Sequence, residues 1–180
     1  MKKFIATILS VLLMMSLCLS AAAADIYEPD DAAQVPVTLT VTPATFNVTV
    51  PTYLPISVDG YGDVTTASNV KIINNGHGSV KVTNMTVTPT GGWSIVSYDD
   101  TDMTYERVGT KKIALWINGE YTQEDGSISF HAGNFPVISG VNTSASDELD
   151  IIYDAMVPAQ TNALMSVTAA TVIFTIGWNT

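Results

Sequence analysis

The fold is decided by the ten residues Lys112–Tyr121, KIALWINGEY. Large apolar side chains recur in it at every second position, at Ile113, Leu115 and Ile117. A period of two predicts a half-buried β-strand, with Trp116 on the face opposite the core. Asn118-Gly119 follows at once, and these residue types tolerate the positive φ angles of a two-residue hairpin turn. The stretch therefore predicts a β-hairpin with one apolar face.

The same alternation recurs along most of the chain, in the segments Val35–Val41, Phe46–Val50, Val80–Val82, Leu149–Tyr153 and Val172–Trp178. Asn-Gly, Asp-Gly and Gly-Gly pairs, which favour turns, separate these segments, and after residue 24 no segment keeps the spacing of an amphipathic helix. Many short strands joined by tight turns predict an all-β fold. We expect a single antiparallel β-sandwich, Ig-like or jelly-roll-like, over residues 35–180, with a closed barrel as the alternative.

Residues 1–24 have the composition of a secretory signal peptide. Two lysines precede a run of 16 mainly apolar residues, Phe4–Leu19, and the small residues Ser20–Ala24 follow as a cleavage site. Cleavage before Asp25 predicts a secreted protein with no membrane span in its mature form. Residues 25–34, DIYEPDDAAQ, are acidic and aperiodic, so we expect a flexible acidic leader in front of the domain.

The cysteine content and the net charge limit the kinds of protein to which this chain can belong. Cys18 is the only cysteine and lies inside the predicted signal peptide, so the mature chain has no disulfide and no thiolate site, which favours a bacterial origin. The chain has 17 acidic residues against 7 Lys and Arg, a net charge of −10. Loss of the two N-terminal lysines leaves 5 basic residues and a charge near −12. Such a surface repels phosphate backbones, so we expect no nucleic-acid partner.

One segment resembles a catalytic pattern. Glu148, Asp150 and Tyr153 follow the spacing of the E-x-D-x-x-E strand of jelly-roll β-glucan hydrolases, but a tyrosine stands where the third carboxylate belongs. Retaining hydrolysis needs a carboxylic acid to protonate the leaving oxygen. The two histidines, His77 and His131, fall in no metal-ligand spacing. We therefore expect a protein that is not an enzyme, with no catalytic residues, no cofactor and no metal.

Two acidic loops are candidates for calcium binding. The densest cluster is Asp99, Asp100 and Asp102, and Asp59–Asp63 is a second. Calcium takes six to eight oxygen ligands, but neither stretch fits a known calcium-loop pattern. The favoured interpretation is a solubilising loop, and the sequence leaves calcium binding by the Asp99–Asp102 loop open.

Aromatic residues are the better candidates for binding a ligand. Trp116, Trp93 and Tyr121 could form a platform on which sugar rings stack. Trp116 has the parity opposite to the apolar face of its strand, so its ring is expected to face outward. Since most tryptophans of a β-sandwich fill the core, this platform is a hypothesis beside a purely structural role.

Two segments resemble the WxL family of Gram-positive surface proteins. Gly92–Val96, GWSIV, is similar to the first Trp-x-Leu motif of that family, with Ile95 in place of leucine. Ala169–Ile176, AATVIFTI, occupies the position of the second motif, with Phe174 in place of its tryptophan. The stretch Phe46–Met85 also resembles secreted proteins of clostridia-like bacteria. Within it, the portion NNGHGSVKVTNM is similar to the camelysin and TasA fibre proteins.

The resemblance implies a non-catalytic domain at the cell surface, associated with the cell wall or with extracellular fibres. We expect a structural or adhesive β-sandwich that binds a cell-wall polymer, or other surface proteins, without covalent attachment. The first alternative is an extracellular matrix subunit that self-associates by adding the apolar segment Val35–Val50 to a neighbour's sheet. The second alternative is a carbohydrate-binding module.

Overall fold

The computed structural model describes residues 37, 39–41, 43–99, 102–141 and 143–180. The chain divides into two compact units, residues 1–42 and 43–180. The predicted signal peptide (1–24) and leader (25–34) lie outside the described residues. In the first unit, the described residues 37 and 39–41 form no strand, although their alternation predicted one. Val37, Leu39 and Val41 are 94%, 81% and 70% exposed.

The second unit is all-β, as the sequence predicted. Its strands are β1 (Val48–Thr49), β2 (Ile56–Val58), β3 (Val64–Thr66), β4 (Lys71–Asn74), β5 (Val80–Pro89), β6 (Ser94–Ile95), β7 (Lys112–Ile117), β8 (Glu120–Tyr121), β9 (Glu148–Asp150), β10 (Tyr153–Met156) and β11 (Ala170–Trp178). The described residues contain only two single-turn 3₁₀ helices, Met103–Tyr105 and Ala132–Asn134, and no α-helix.

The strands form several small sheets, and among the described residues none of the sheets closes on itself. One sheet has the order β1-β4-β9, and another has the order β10-β7-β6 with β8 added on β7. Strands β5 and β11 form a long two-stranded sheet, and β2 pairs with β3. All strand pairs are antiparallel except β6 with β7.

The predicted hairpin of residues 112–121 is confirmed. Strand β7 pairs antiparallel with β8. Asn118 and Gly119 in the turn have φ angles of 48° and 90°. Two positive φ angles at the central positions suit the right-handed twist of the flanking strands. In β7 the three apolar side chains of one parity are buried, whereas Trp116 on the other parity is half-buried.

The predicted strand around Leu149–Tyr153 is divided between two sheets. Side-chain parity continues through it without a break, with Leu149, Ile151 and Tyr153 buried. However, β9 pairs with β4, whereas β10 pairs with β7. Ile152 lies between the two strands and its side chain is 64% exposed. The chain therefore changes sheets at this point, which we call the β9–β10 corner.

Two clusters of buried apolar residues hold the sheets together. The first combines β4, β5 and β9 around Ile72, Val82 and Leu149. The second combines β6, β7 and β10 around Ile95, Leu115 and Ala155. Ile56, Ile128 and Val172 pack against both clusters, so the two cores are continuous at their border. Burial of apolar side chains at about 25 cal/mol per Å² is the main stabilising contribution of these contacts.

The longest paired element is formed by β5 and β11. Their register runs from Ala170 opposite Pro89 to Trp178 opposite Val80, with an irregularity between Thr175 and Ile176. Within the described chain, no strand pairs with the other edge of β11. An unpaired strand edge of this length presents a row of free N–H and C=O groups, which is a template for pairing with another chain.

Candidate functional site

Trp116 and Tyr121 form a cross-strand pair on the outer face of the β7–β8 hairpin. They are directly opposite each other in the ladder, and both are half-buried. On the other side of β7, Trp116 is opposite Asp154 of β10. The Tyr98 hydroxyl donates a 3.0 Å hydrogen bond to Asp154 Oδ2. Burial and this carboxylate raise the pKa of Tyr98. The structure therefore brings two of the three predicted platform residues together.

Trp93 lies elsewhere. Its side chain is only 8% exposed and packs in the second core cluster. Its Nε1 has no hydrogen-bond partner in the described part of the chain. A ligand on the outer face would not touch this ring, because Trp93 fills the core. The sequence pattern missed this because Trp93 precedes the two-residue strand β6, which is too short for its alternation to show which side faces inward.

An open cleft of about 570 Å³ lies beside the Trp116 ring. We call it the Trp116 cleft, and the lining residues that matter here are Trp116, Asn134, Pro136, Glu148, Asp150 and Ile152. The cleft lies where the β1-β4-β9 sheet meets the sheet of β7 and β10, at the β9–β10 corner. Aromatic and apolar side chains thus stand next to carboxylate and amide groups in one concave site, which is typical of ligand pockets.

Asn118 of the hairpin turn fixes the β9–β10 corner. Its backbone N–H donates to the Ile152 carbonyl at 2.8 Å. Its side chain accepts a hydrogen bond from the Ile152 N–H at 2.7 Å and donates to the Asp150 carbonyl at 3.1 Å. One turn residue therefore engages three backbone groups at the edge of the cleft. These hydrogen bonds fix the position of the β9–β10 corner, with Asp150 and Ile152, against the hairpin that carries Trp116.

Glu120 anchors the loop that carries Asn134, one of the residues that line the cleft. Its side chain is fully buried, and its Oε1 accepts hydrogen bonds from the His131 backbone N–H at 2.7 Å and from Asn134 Nδ2 at 2.9 Å. Burial alone would raise the pKa of Glu120, but hydrogen bonds from Ser129, His131 and Asn134 outweigh it and lower the pKa. The charged carboxylate therefore holds the loop of residues 129–134 against the hairpin.

The position of Glu120 was open to prediction from the sequence. A two-residue turn pairs Ile117 directly with Glu120, so both side chains must lie on the same face. Because Ile117 is a core residue, Glu120 must be buried as well and must find partners. The alternation pattern alone did not reveal this, since it ended at the turn.

Lys71 links the two carboxylates of the cleft. Its Nζ forms ion pairs with Glu148 Oε2 and, at 3.7 Å, with Asp150 Oδ1. The hydrogen bond and charge of Glu148 raise the pKa of Lys71. The register of β4 against β9 places Lys71 opposite Asp150, so all three side chains share one face. Two negative charges and one positive charge leave this face with a net charge of −1.

Tyr153, at the third position of the glycosidase-like pattern, is a core residue. Its hydroxyl donates to the Pro55 carbonyl at 2.6 Å and accepts from the Ala67 N–H at 3.2 Å. Burial raises the pKa of Tyr153. Both Tyr153 hydrogen bonds tie the β2 and β3 region to β10. Glu148 and Asp150 thus have a lysine, and no third carboxyl group from this position, beside them.

The acidic loops show local hydrogen bonding. Asp102 caps the first 3₁₀ helix by accepting from the Thr104 N–H at 2.9 Å. Asp99 and Asp102 line a second open groove of about 550 Å³ together with Asp154. Asp100 lies outside the described residues. Among the side chains that the structure describes, no three His, Cys, Asp or Glu residues converge as metal ligands would.

In the described ranges, no helix is long and apolar enough to cross a membrane. No protein-family model, no curated protein and no solved structure matches this chain.

Proposed function

We propose that this chain is a non-catalytic secreted surface protein of a bacterium, an adhesive β-sandwich that binds a cell-wall polymer without covalent attachment. The observation that carries the proposal is the Trp116–Tyr121 pair, which faces outward beside an open cleft. Half-buried aromatic rings next to hydrogen-bonding side chains suit the stacking of sugar rings. The signal-peptide composition and the resemblance to WxL proteins support the location.

Two observations favour binding over catalysis. The third position of the glycosidase-like pattern is Tyr153, which is occupied by hydrogen bonds in the core. Lys71 forms ion pairs with both remaining carboxylates, and a cation that favours the charged form disfavours a general acid. The side chains of the cleft are therefore better suited to hold a polymer than to cleave it.

Wall binding should depend on the ring of Trp116. Replacing it with alanine is expected to weaken binding of the purified mature protein to wall fragments by at least about tenfold, because tryptophans at the centre of a contact contribute most of its energy. Co-sedimentation over a range of wall concentrations measures this. Tyr61→Ala is the matched control, since Tyr61 is 91% exposed and lies outside the cleft. Equal binding by folded Trp116→Ala protein would refute the role of the cleft.

A specific observation also favours the fibre alternative. The edge of β11 is unpaired within the described residues, and Val37, Leu39 and Val41 present alternating exposed apolar side chains. A strand of this kind from one molecule could pair with the β11 edge of another, with backbone hydrogen bonds providing affinity. This arrangement would give self-association in place of, or in addition to, wall binding.

Deleting residues 35–41 separates the two functions. If the fibre alternative holds, the deletion should abolish concentration-dependent assembly, measured by light scattering and electron microscopy, and leave binding to walls unchanged. A deletion of equal length in the leader, residues 25–31, is the control and should assemble normally. Assembly that survives the loss of residues 35–41 would exclude strand addition by this segment. A protein that binds soluble glycans but neither assembles nor binds walls would be a carbohydrate-binding module.

A further inference from the structure

We propose that the Trp116 cleft binds a glycan with free amino groups, such as a β-linked polymer of glucosamine. This inference rests on the proposed function, because it names the ligand of the same site. The argument combines the aromatic surface of the cleft, the chemistry of its polar groups and the charge of the chain.

The apolar surface of the cleft suits a sugar ring that carries a positive charge. Trp116 offers a half-buried indole, and Ile152 and Pro136 are exposed beside it. The flat apolar face of a pyranose can pack on such a surface. The face of tryptophan also attracts an ammonium group through its quadrupole, and a neutral sugar lacks this contribution.

The polar groups of the cleft are mostly hydrogen-bond acceptors. The Asp150 side chain is 68% exposed, and its carboxylate contacts Lys71 only at 3.7 Å. Glu148 lines the cleft and uses Oε2 for the ion pair with Lys71, so Oε1 is its second acceptor atom. Asn134 uses its amide nitrogen for Glu120, which leaves its carbonyl oxygen as an acceptor. A ligand rich in donors complements this set, and ammonium groups are the strongest such donors.

The backbone at the cleft is closed to an extended peptide. Asn118 engages the N–H and C=O of Ile152 and the C=O of Asp150. Strand addition requires free backbone groups, so a peptide would lose its main source of affinity here. A sugar ring needs only the side chains. The net charge of −10 adds long-range attraction for a cationic polymer and repulsion for an anionic one.

Three hexasaccharides with the same β-1,4 backbone test the proposal. They are glucosamine hexamer, N-acetylglucosamine hexamer and cellohexaose, which differ only in carrying an ammonium, an acetamido or a hydroxyl group at C2. Calorimetric titration at mildly acidic pH, where the amino groups are protonated, should show the glucosamine hexamer binding at least about tenfold more tightly than the other two. Added salt should reduce this preference, since it screens charges.

Charge variants give predictions of opposite sign. Asp150→Asn should weaken binding of the glucosamine hexamer about two- to fivefold, because one partially exposed charge is removed. Lys71→Gln should strengthen binding by a similar factor, because the competing cation is lost. Glu124→Gln changes the net charge as Asp150→Asn does, but Glu124 lies outside the cleft and should have little effect. Trp116→Ala should weaken binding of all hexamers.

The outcomes separate this inference from the proposed function. If the acetylated or neutral hexamer binds as tightly as the glucosamine hexamer and Trp116→Ala weakens both, the cleft binds glycans but the preference for amino groups is refuted. If the glucosamine hexamer binds equally to the Asp150→Asn and Glu124→Gln variants, the attraction is only that of the overall charge and the proposed site is refuted. If no hexamer binds and Trp116→Ala still binds walls, both proposals fail.

Discussion

Asn74→Ala should destabilise the domain by about 3–5 kcal/mol, a large part of the total stability of a domain of this size. Asn74 is fully buried, and its Nδ2 donates to the Gly78 carbonyl at 2.8 Å and to the Ser139 carbonyl at 3.1 Å. Its Oδ1 accepts from the Gly76 N–H at 3.0 Å. Alanine would take this partner from the buried Gly76 N–H and from the partly buried Gly78 and Ser139 carbonyls. Each unsatisfied group costs about 1–3 kcal/mol.

The neighbouring residue is the matched control for this experiment. Asn75 is exposed and its side chain donates a single 2.9 Å hydrogen bond to Thr49 Oγ1, so Asn75→Ala should cost less than about 1 kcal/mol. Urea unfolding followed by tryptophan fluorescence gives both values. Equal midpoints for the two variants would show that Asn74 does not hold the turn. The backbone is closely packed at this turn, because a Cβ on Gly76 would overlap the Thr45 carbonyl oxygen.

Glu120→Ala should lower the free energy of unfolding by about 2–4 kcal/mol and also weaken the Trp116 cleft. The variant leaves the His131 backbone N–H and the Asn134 amide without their acceptor. Because Asn134 and Pro136 line the cleft, the loop that carries them loses its anchor. Glu120→Gln keeps the shape of the side chain and one acceptor oxygen, so it should lower the free energy of unfolding by less than Glu120→Ala does. Unfolding at pH 7 and wall binding of the same variants test both effects.

Glu120 should also make stability depend on pH. Its pKa is lowered in the folded protein from the ordinary value of 4.5, so the carboxylate stabilises the fold fully above pH 4.5. This contribution is lost as the pH falls through the lowered pKa. Asp102 and Asp125, whose pKa values are lowered by hydrogen bonds from Thr104 and Ser127, act in the same direction.

Those two aspartates remain in Glu120→Gln, so their contributions cancel in the difference between wild type and variant. Unfolding should be measured in steps between pH 7 and pH 3. The stability difference should shrink as the pH falls below 4.5. A difference that does not change with pH would mean that folding leaves the pKa of Glu120 unshifted, and a difference that grows as the pH falls would mean that folding raises it.

The sequence determined the local structure of this protein. The period of two in residues 112–117 and the Asn-Gly turn were enough to predict the hairpin, because a two-residue loop fixes both the register and the face of each side chain. The outward position of Trp116 followed from the same parity. The all-β class followed from many repeats of this pattern.

Only the tertiary structure decided which strands share a sheet and which side chains meet. Parity is continuous from Leu149 to Tyr153, so the sequence could not show that β9 and β10 join different sheets. Trp93 directly precedes the short strand β6 and Trp116 lies in β7, and only long-range packing places the first in the core and the second beside a cleft. Alternation records which face of a strand is buried, whereas partners distant in sequence are chosen by packing of the whole core.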